Sequence, residues 1–273
     1  MLALVIPVGL LIGLSLGALG GGGSILTVPA LVYLFGQGSR AATTGSLLIV
    51  GVTSVIGMIP HRRAARVSVA QGLVFGILGV AGSYVGSLLS AAVRQDVLLA
   101  GFSVLMLAVA ALMTRRRRAQ ARLASAGSLA VAVAARPILT TRPTVGCDCR
   151  RAATVVLTAS AVGLLTGFFG VGGGFAVVPA LVLALGMSMP VAVGTSLLVI
   201  AINSFSALLF RLGQGVTLDW WVIGGFMMSG VVGSLVGSRV VSRVGPARLN
   251  LAFTLLLVVV ALYTAARSFP GLF

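Results

Sequence analysis

Apolar runs of about 18 residues or more dominate this chain. They recur from Leu2 to Met113 and again from Ala152 to Ala266. A helical run of that length matches the hydrocarbon thickness of a bilayer. In lipid every backbone amide must be satisfied within the structure, which leaves only helices and closed barrels. The two-residue alternation of a barrel strand is absent. The chain therefore reads as an all-α polytopic membrane protein. That reading also decides what its charge means. It carries 19 Lys+Arg against three acids, Asp96, Asp148 and Asp219. In a soluble domain this balance would suggest nucleic acid. Here the arginines lie mainly between apolar runs, where such residues set membrane topology. The aromatic interleaving of a nucleic-acid surface is missing, so the partners expected are a lipid bilayer and a small solute, not nucleic acid. The first run has no basic leader and is read as part of the mature chain.

The chain is also a duplication. Gly13–Leu31, "GLSLGALGGGGSILTVPAL", matches Gly163–Leu181, "GLLTGFFGVGGGFAVVPAL", at ten of nineteen positions. The match continues from "TTGSLLIV" (43–50) to "VGTSLLVI" (193–200), and from "GSYVGS" (82–87) to "GSLVGS" (233–238) with a one-residue slip. Two homologous membrane halves follow, 1–113 and 152–273. Residues 114–151 form a basic linker that opens with "TRRRR" and is expected to be cytoplasmic. Its two cysteines, Cys147 and Cys149, lack companion ligands and read as loop thiols rather than a metal site.

Each half reads as four to five hydrophobic segments, the first broken at a glycine-rich turn (2–36 and 152–186). Helices follow at about 41–60, 68–91 and 96–113, and at about 191–211, 219–240 and 246–266. Gly72, Gly76, Gly79, Gly82 and Gly86 recur at helical spacing, as do Gly230, Gly233 and Gly237. That spacing suits close helix packing. A single pass through each broken segment would make the halves parallel, and a fold-back would make them inverted. The arginine balance barely separates the two. An unbroken 35-residue helix would run about 52 Å, well beyond the core of about 30 Å. Fold-back and inverted repeats are therefore favoured over parallel ones.

Four consecutive glycines, Gly20 to Gly23, need a reason, since each costs a helix about 1 kcal/mol relative to alanine. Non-helical backbone at membrane depth is tolerated where it is buried in protein or lines a cavity. Freed amides there make an anion-binding nest, and the helix beginning next adds its positive dipole end. Paired interruptions in two halves point to a transporter's binding site. Pro29 and Pro179 follow at the same distance in each half. The candidate substrate-binding residues are Gly20, Gly21, Gly22, Gly23 and Ser24 in the first half. Gly170, Gly172, Gly173 and Gly174 are their counterparts. The next helices add Thr44, Ser46 and Thr53, and Thr195, Ser196 and Asn203. Their hydroxyls and amide can donate to an anion without carrying charge. The plainer alternative is that membrane Ser and Thr bond their own backbone.

These motifs, each followed by a "T-G-S-L" or "G-T-S-L" helix, resemble the sulfite exporter TauE/SafE family, also called the 4-toluene sulfonate uptake permeases. The resemblance spans both halves. It implies an inner-membrane transporter of small sulfur-containing anions such as sulfite or organosulfonates. The first half reads "TTGSL" where the second reads "VGTSL", so one hydroxyl is shifted between Thr44 and Thr195.

The expectation is export of such an anion by alternating access, aided by a membrane potential worth roughly 2.3 kcal/mol per 100 mV for one charge. Arg211 and the basic 62–66 cluster would concentrate anions at the inner mouth. An anion channel, an importer of an organosulfonate and a membrane scaffold or sensor are the alternatives. An enzyme is not expected, with one histidine, three acids and two linker cysteines, and no cofactor is implied. His61, beside Arg62 and Arg63 at a helix end, reads as a surface residue, and no proton relay is expected.

Overall fold

In the computed structural model, residues 2–90, 95–125, 149–169, 174–209 and 218–268 are described, and all their regular structure is helical. The first half comprises α1 (Leu2–Leu19), α2 (Gly22–Pro29) running into a π-helical turn (Ala30–Leu34), α3 (Ser39–Arg63), α4 (Val69–Ser90) and α5 (Gln95–Ser125). The second comprises α6 (Cys149–Phe169), α7 (Gly174–Leu183), α8 (Met189–Leu209), α9 (Trp220–Arg243) and α10 (Pro246–Ser268). Among the described residues, Ala41–Arg63, Val69–Gly86, Met189–Leu209, Trp220–Val241 and Pro246–Tyr263 are long and apolar enough to cross a membrane. Helix structure continues past Met113 to Ser125 and resumes at Cys149, within the basic linker at both ends. Cys147, Asp148 and Arg211 lie outside the described residues.

The first segment of the first half is a hairpin. A Cβ added at Gly23 would sit 2.5 Å from the Ile12 carbonyl oxygen and 2.7 Å from Leu16 Cβ. A straight helix would separate residues 12 and 23 by about 16 Å, so α2 returns along α1. Gly20 makes the turn, with φ +72°. That left-handed conformation costs a side chain roughly 1–2 kcal/mol and glycine almost nothing. Both fold-back segments end alike. Gly36 and Gly186 are left-handed, and the next amides, Gln37 and Met187, each reach back 3.1 Å to the Leu31 and Leu181 carbonyls.

The halves are interlaced. α1 packs on α9 and α6 packs on α4, so each opening helix lies against the other half. Small residues let the backbones touch, which is how helices associate where lipid removes the hydrophobic drive. A methyl on Gly13 would overlap the Gly230 carbonyl, and one on Gly17 the Ser234 carbonyl. One on Gly163 would come 2.5 Å from the Gly79 carbonyl oxygen. The helical-spaced glycines of α4 and α9 are thus packing residues, and Gly13, Gly17, Gly163 and Gly167 are their partners.

These contacts also fix direction. Residues 9, 13 and 17 of α1 meet 229, 230 and 234 of α9, so the two run parallel. Gly45 and Gly57 of α3 meet Ile223 and Ser234 of α9, again parallel. α4, α6 and α8 form the matching parallel set, through Gly72–Leu198, Gly76–Ile202 and Gly163–Gly79. α3 and α8, however, are antiparallel, since Gly51 meets Ser204 while His61 meets Gly194. So α1 and α3 run opposite to their counterparts α6 and α8, an inverted arrangement. One consequence is that Arg239 and Arg243 of α9 lie at the same end as Arg62 and Arg63 of α3.

Candidate functional site

The start of each fold-back helix is buried at the interface between the halves. Gly22, Gly23, Ser24 and Ile25 of α2 are all buried. A Cβ on Gly174, the first residue of α7, would lie 2.5 Å from Ser24 Oγ, 2.9 Å from Gly21 Cα and 3.0 Å from Ile200 Cδ1. The first turns of α2 and α7 therefore touch beside the centre of α8. Gly20 faces Ser196 of α8, with Val178 of α7 3.0 Å from its added Cβ. Gly170, Gly172 and Gly173 lie outside the described residues.

Helix α2 begins without a side-chain cap at Gly21. The first amides of a helix have no partner within it, and no side chain competes for them here. Leu19 and Gly21 are right-handed on either side of left-handed Gly20, a pattern that gathers successive N–H groups into a concavity. The nearby hydroxyls do not supply donors in this state. Ser24 Oγ donates to the Gly21 carbonyl at 2.8 Å and Thr27 Oγ1 to Gly23 at 2.9 Å. The chemistry available at the break is thus backbone N–H and helix dipole, both suited to a negative group.

The four glycines differ in what they do. Gly20 needs its positive φ, and Gly21 gives α7 its close approach. Gly22 and Gly23 serve packing: a Cβ at Gly22 would meet Leu256 of α10 at 2.5 Å and Ser15 of α1 at 3.1 Å.

The polar residues of the next helices divide three ways. Ser46 and Ser196 each return their proton to the carbonyl three residues back, Thr43 at 2.9 Å and Val193 at 2.8 Å. Ser196 nonetheless stands beside the break, so the site keeps its oxygen. Thr195 is buried, and its Oγ1 accepts from Ser68 N at 3.0 Å, holding the start of α4. Thr44 is buried near the start of α3. Thr53 and Asn203 do not join the break. Thr53 Oγ1 lies against Gly230 of α9, and the Asn203 amide against Gly79 of α4. Extending the α3/α8 register puts the two residues at one depth but on opposite flanks of that helix pair. Thr53 Oγ1, Ser54 Oγ, Asn203 Oδ1, Ser204 Oγ and Ser234 Oγ are buried and make no hydrogen bond.

Two residues depart from the sequence reading or were missed by it. His61 is 2% exposed, not a surface residue. Its ring reaches the Gly17 carbonyl at 3.1 Å, in the last turn of α1 before the break. Arg116 of α5 donates to the Val182 carbonyl near the end of α7. Neither partner could be read locally, since each lies at least 44 residues away.

An all-helical membrane bundle, with interrupted helices meeting between oppositely directed halves, has the layout of a secondary transporter. The comparisons with known proteins place it further. The family model described as Sulfite exporter TauE/SafE matches residues 5–264, and the chain belongs to that family. It is 31% identical over 266 residues to a "Probable membrane transporter protein" of Xylella fastidiosa (strain Temecula1), covering 96% of this chain and 94% of that one. It is 25% identical over 241 residues to "Probable membrane transporter protein YdhB" of Bacillus subtilis, covering 86% and 89%. No solved structure matches the chain.

Proposed function

We propose that this transporter carries a small sulfur-containing anion, of the sulfite or organosulfonate class, by alternating access. The binding residues are Gly20, Gly21 and Ser24 with Gly174 and Ser196. One observation carries the reading. The amide-bearing first turns of α2 and α7 come within contact of each other, at 2.5–2.9 Å from an added Gly174 Cβ, between halves that run in opposite directions. Rocking one half against the other would open such a site to either side in turn. An uncharged grip of this kind binds a monoanion and releases it, whereas a buried arginine would hold it. The basic end, with Arg62, Arg63, Arg239 and Arg243, faces the cytoplasm by the positive-inside rule. There it concentrates anions for export.

The test is a thermal-shift screen of sulfite, sulfoacetate, taurine and thiosulfate, followed by flux from proteoliposomes. The reading expects at least one anion to stabilise the protein and to cross. It fails if none does either. Direction follows from loading the vesicles on one side at a time.

A further inference from the structure

His61 is the only histidine in the chain, and among the described residues it is a titratable group sunk into a membrane-length helix. It is not an isolated core residue. A carbonyl oxygen can only accept, so the contact with Gly17 fixes the ring proton on Nε2 and leaves Nδ1 as the basic nitrogen. Gly17 stands three residues before Gly20, about 5 Å along the axis of α1. The ring therefore touches the last turn of α1, which leads into the break.

Two further observations align with it on the seam between α1, α3 and α9. Gly57, one turn above His61 on α3, leaves room that Ser234 Oγ fills, and that hydroxyl is buried without a partner. One turn higher, Thr53 Oγ1 faces Gly230 and is also without a partner. Thr53, Ser234 and His61 thus line one polar track at successive turns of α3, in which the two hydroxyls are not hydrogen-bonded to each other or to the ring. It runs from mid-helix to the basic end. The charges nearest the ring are cationic: Arg62 and Arg63 beside it and Arg66, whose carbonyl packs on Gly194 with His61 Cβ. Within the described residues, no titratable side chain of α1 or α8 faces it. On α9 the ionisable groups are Asp219, Arg239 and Arg243, towards the two ends.

We infer that His61 is the proton-binding site of this transporter, taking up one proton on Nδ1 when the anion binds at the break. This rests on the carrier reading above. The imidazolium keeps its bond to Gly17 and adds a positive charge beside the amide nest. Anion binding and protonation then favour each other by the same factor. One proton and one monoanion move together, no net charge crosses, and export is driven by the anion's own outward gradient. A pH gradient, not the membrane potential, sets the accumulation ratio, at about tenfold per pH unit.

Because the chain has a single histidine, selective nitrogen-15 labelling of the full protein gives one imidazole. The expected result is a single protonation step of the ring whose midpoint rises by about half a unit or more when sulfite is added. A ring whose protonation ignores sulfite while sulfite stabilises the protein overturns the inference. The flux arm uses sulfite efflux with the potential clamped. His61→Gln keeps a donor for Gly17 but cannot titrate, so exchange at equal pH should persist and the gradient response should vanish. An unchanged gradient response in His61→Gln refutes the site. Should that variant fail to fold, Ser234→Ala keeps the labelled ring and is expected to slow gradient-driven flux several-fold. An unaltered rate there counts against the track. Absence of any anion effect on the wild type sinks the carrier reading, while the imidazole titration still decides the proton site.

Discussion

The two seams of the molecule, α1/α3/α9 and α6/α8/α4, share a backbone and differ in chemistry. In both, glycines on the opening helix ride on the fourth helix of the other half: Gly17 against Ser234, Gly167 against Ser83. Along the first seam lie Thr53, Gly57 and His61. Their counterparts in the duplicated sequence are Asn203, Ala207 and Arg211. The fold-back helices differ too. α2 passes after Pro29 into a π-helical turn, whereas α7 stays α-helical through Pro179 and has Arg116 bonded to its Val182 carbonyl. Duplication has kept the small residues wherever backbones touch, because no side chain fits there. It has let polar groups diverge wherever there was room. In the proposed reading the first seam carries the chemistry and the second serves as scaffold.

The most severe way to break that comparison is to fill both contacts at once. Gly13→Val and Gly163→Val each drive a side chain into the facing backbone, a cost of about 3 kcal/mol or more, since backbone cannot step aside as a flexible side chain can. Both variants should lose the monodisperse peak in size-exclusion chromatography. Survival of one would show that the seams are not equivalent in packing.

A finer probe is the pair Gly20→Ala and Gly186→Ala. Both residues have positive φ, +72° and +68°, so each change costs about 1–2 kcal/mol of backbone strain. Only Gly20 is also closed in, against Ser196, while Gly186 has nothing nearer than Arg116 Nη2 at 3.9 Å. Melting temperature should fall further for Gly20→Ala, and anion stabilisation should weaken in that variant alone.

The smallest effects compare the starts of α4 and α9. Ser68 N relies on Thr195 across the interface, and Thr195→Val should cost about 1–3 kcal/mol by leaving that amide unpaired. Asp219 caps α9 from its own exposed turn, through Trp221 N and Val222 N. Asp219→Ala should cost about 1 kcal/mol. Equal melting shifts would contradict the assignment of Thr195 as a structural residue.

Much of this was legible beforehand. The break, its recurrence and the fold-back followed from glycine, proline and length, all local or periodic features. The packing role of Gly79, Gly82, Gly230 and Gly233 followed from spacing. What spacing could not carry was pairing across the duplication. Nothing near Gly13 says that its neighbour is Gly230, and nothing near Thr195 points to Ser68. The hydroxyl stripe misled for a related reason: helical periodicity put Thr53 and Ser46 on one face, but α9 covers that face at Thr53. His61 misled because three arginines follow it within five residues, which reads as a solvated end. Its burial comes from α1 and α8, which sequence neighbours do not reveal.

The central claim is that the starts of α2 and α7 meet and hold the anion between them. Ser24→Cys with Gly174→Cys, in a chain with Cys147 and Cys149 changed to serine, reads it directly. The account predicts rapid oxidative cross-linking, slowed by sulfite, and flux that stops when the bond forms and returns on reduction. Cysteines that fail to join, or a joined protein that still carries sulfite at the uncrossed rate, would contradict it.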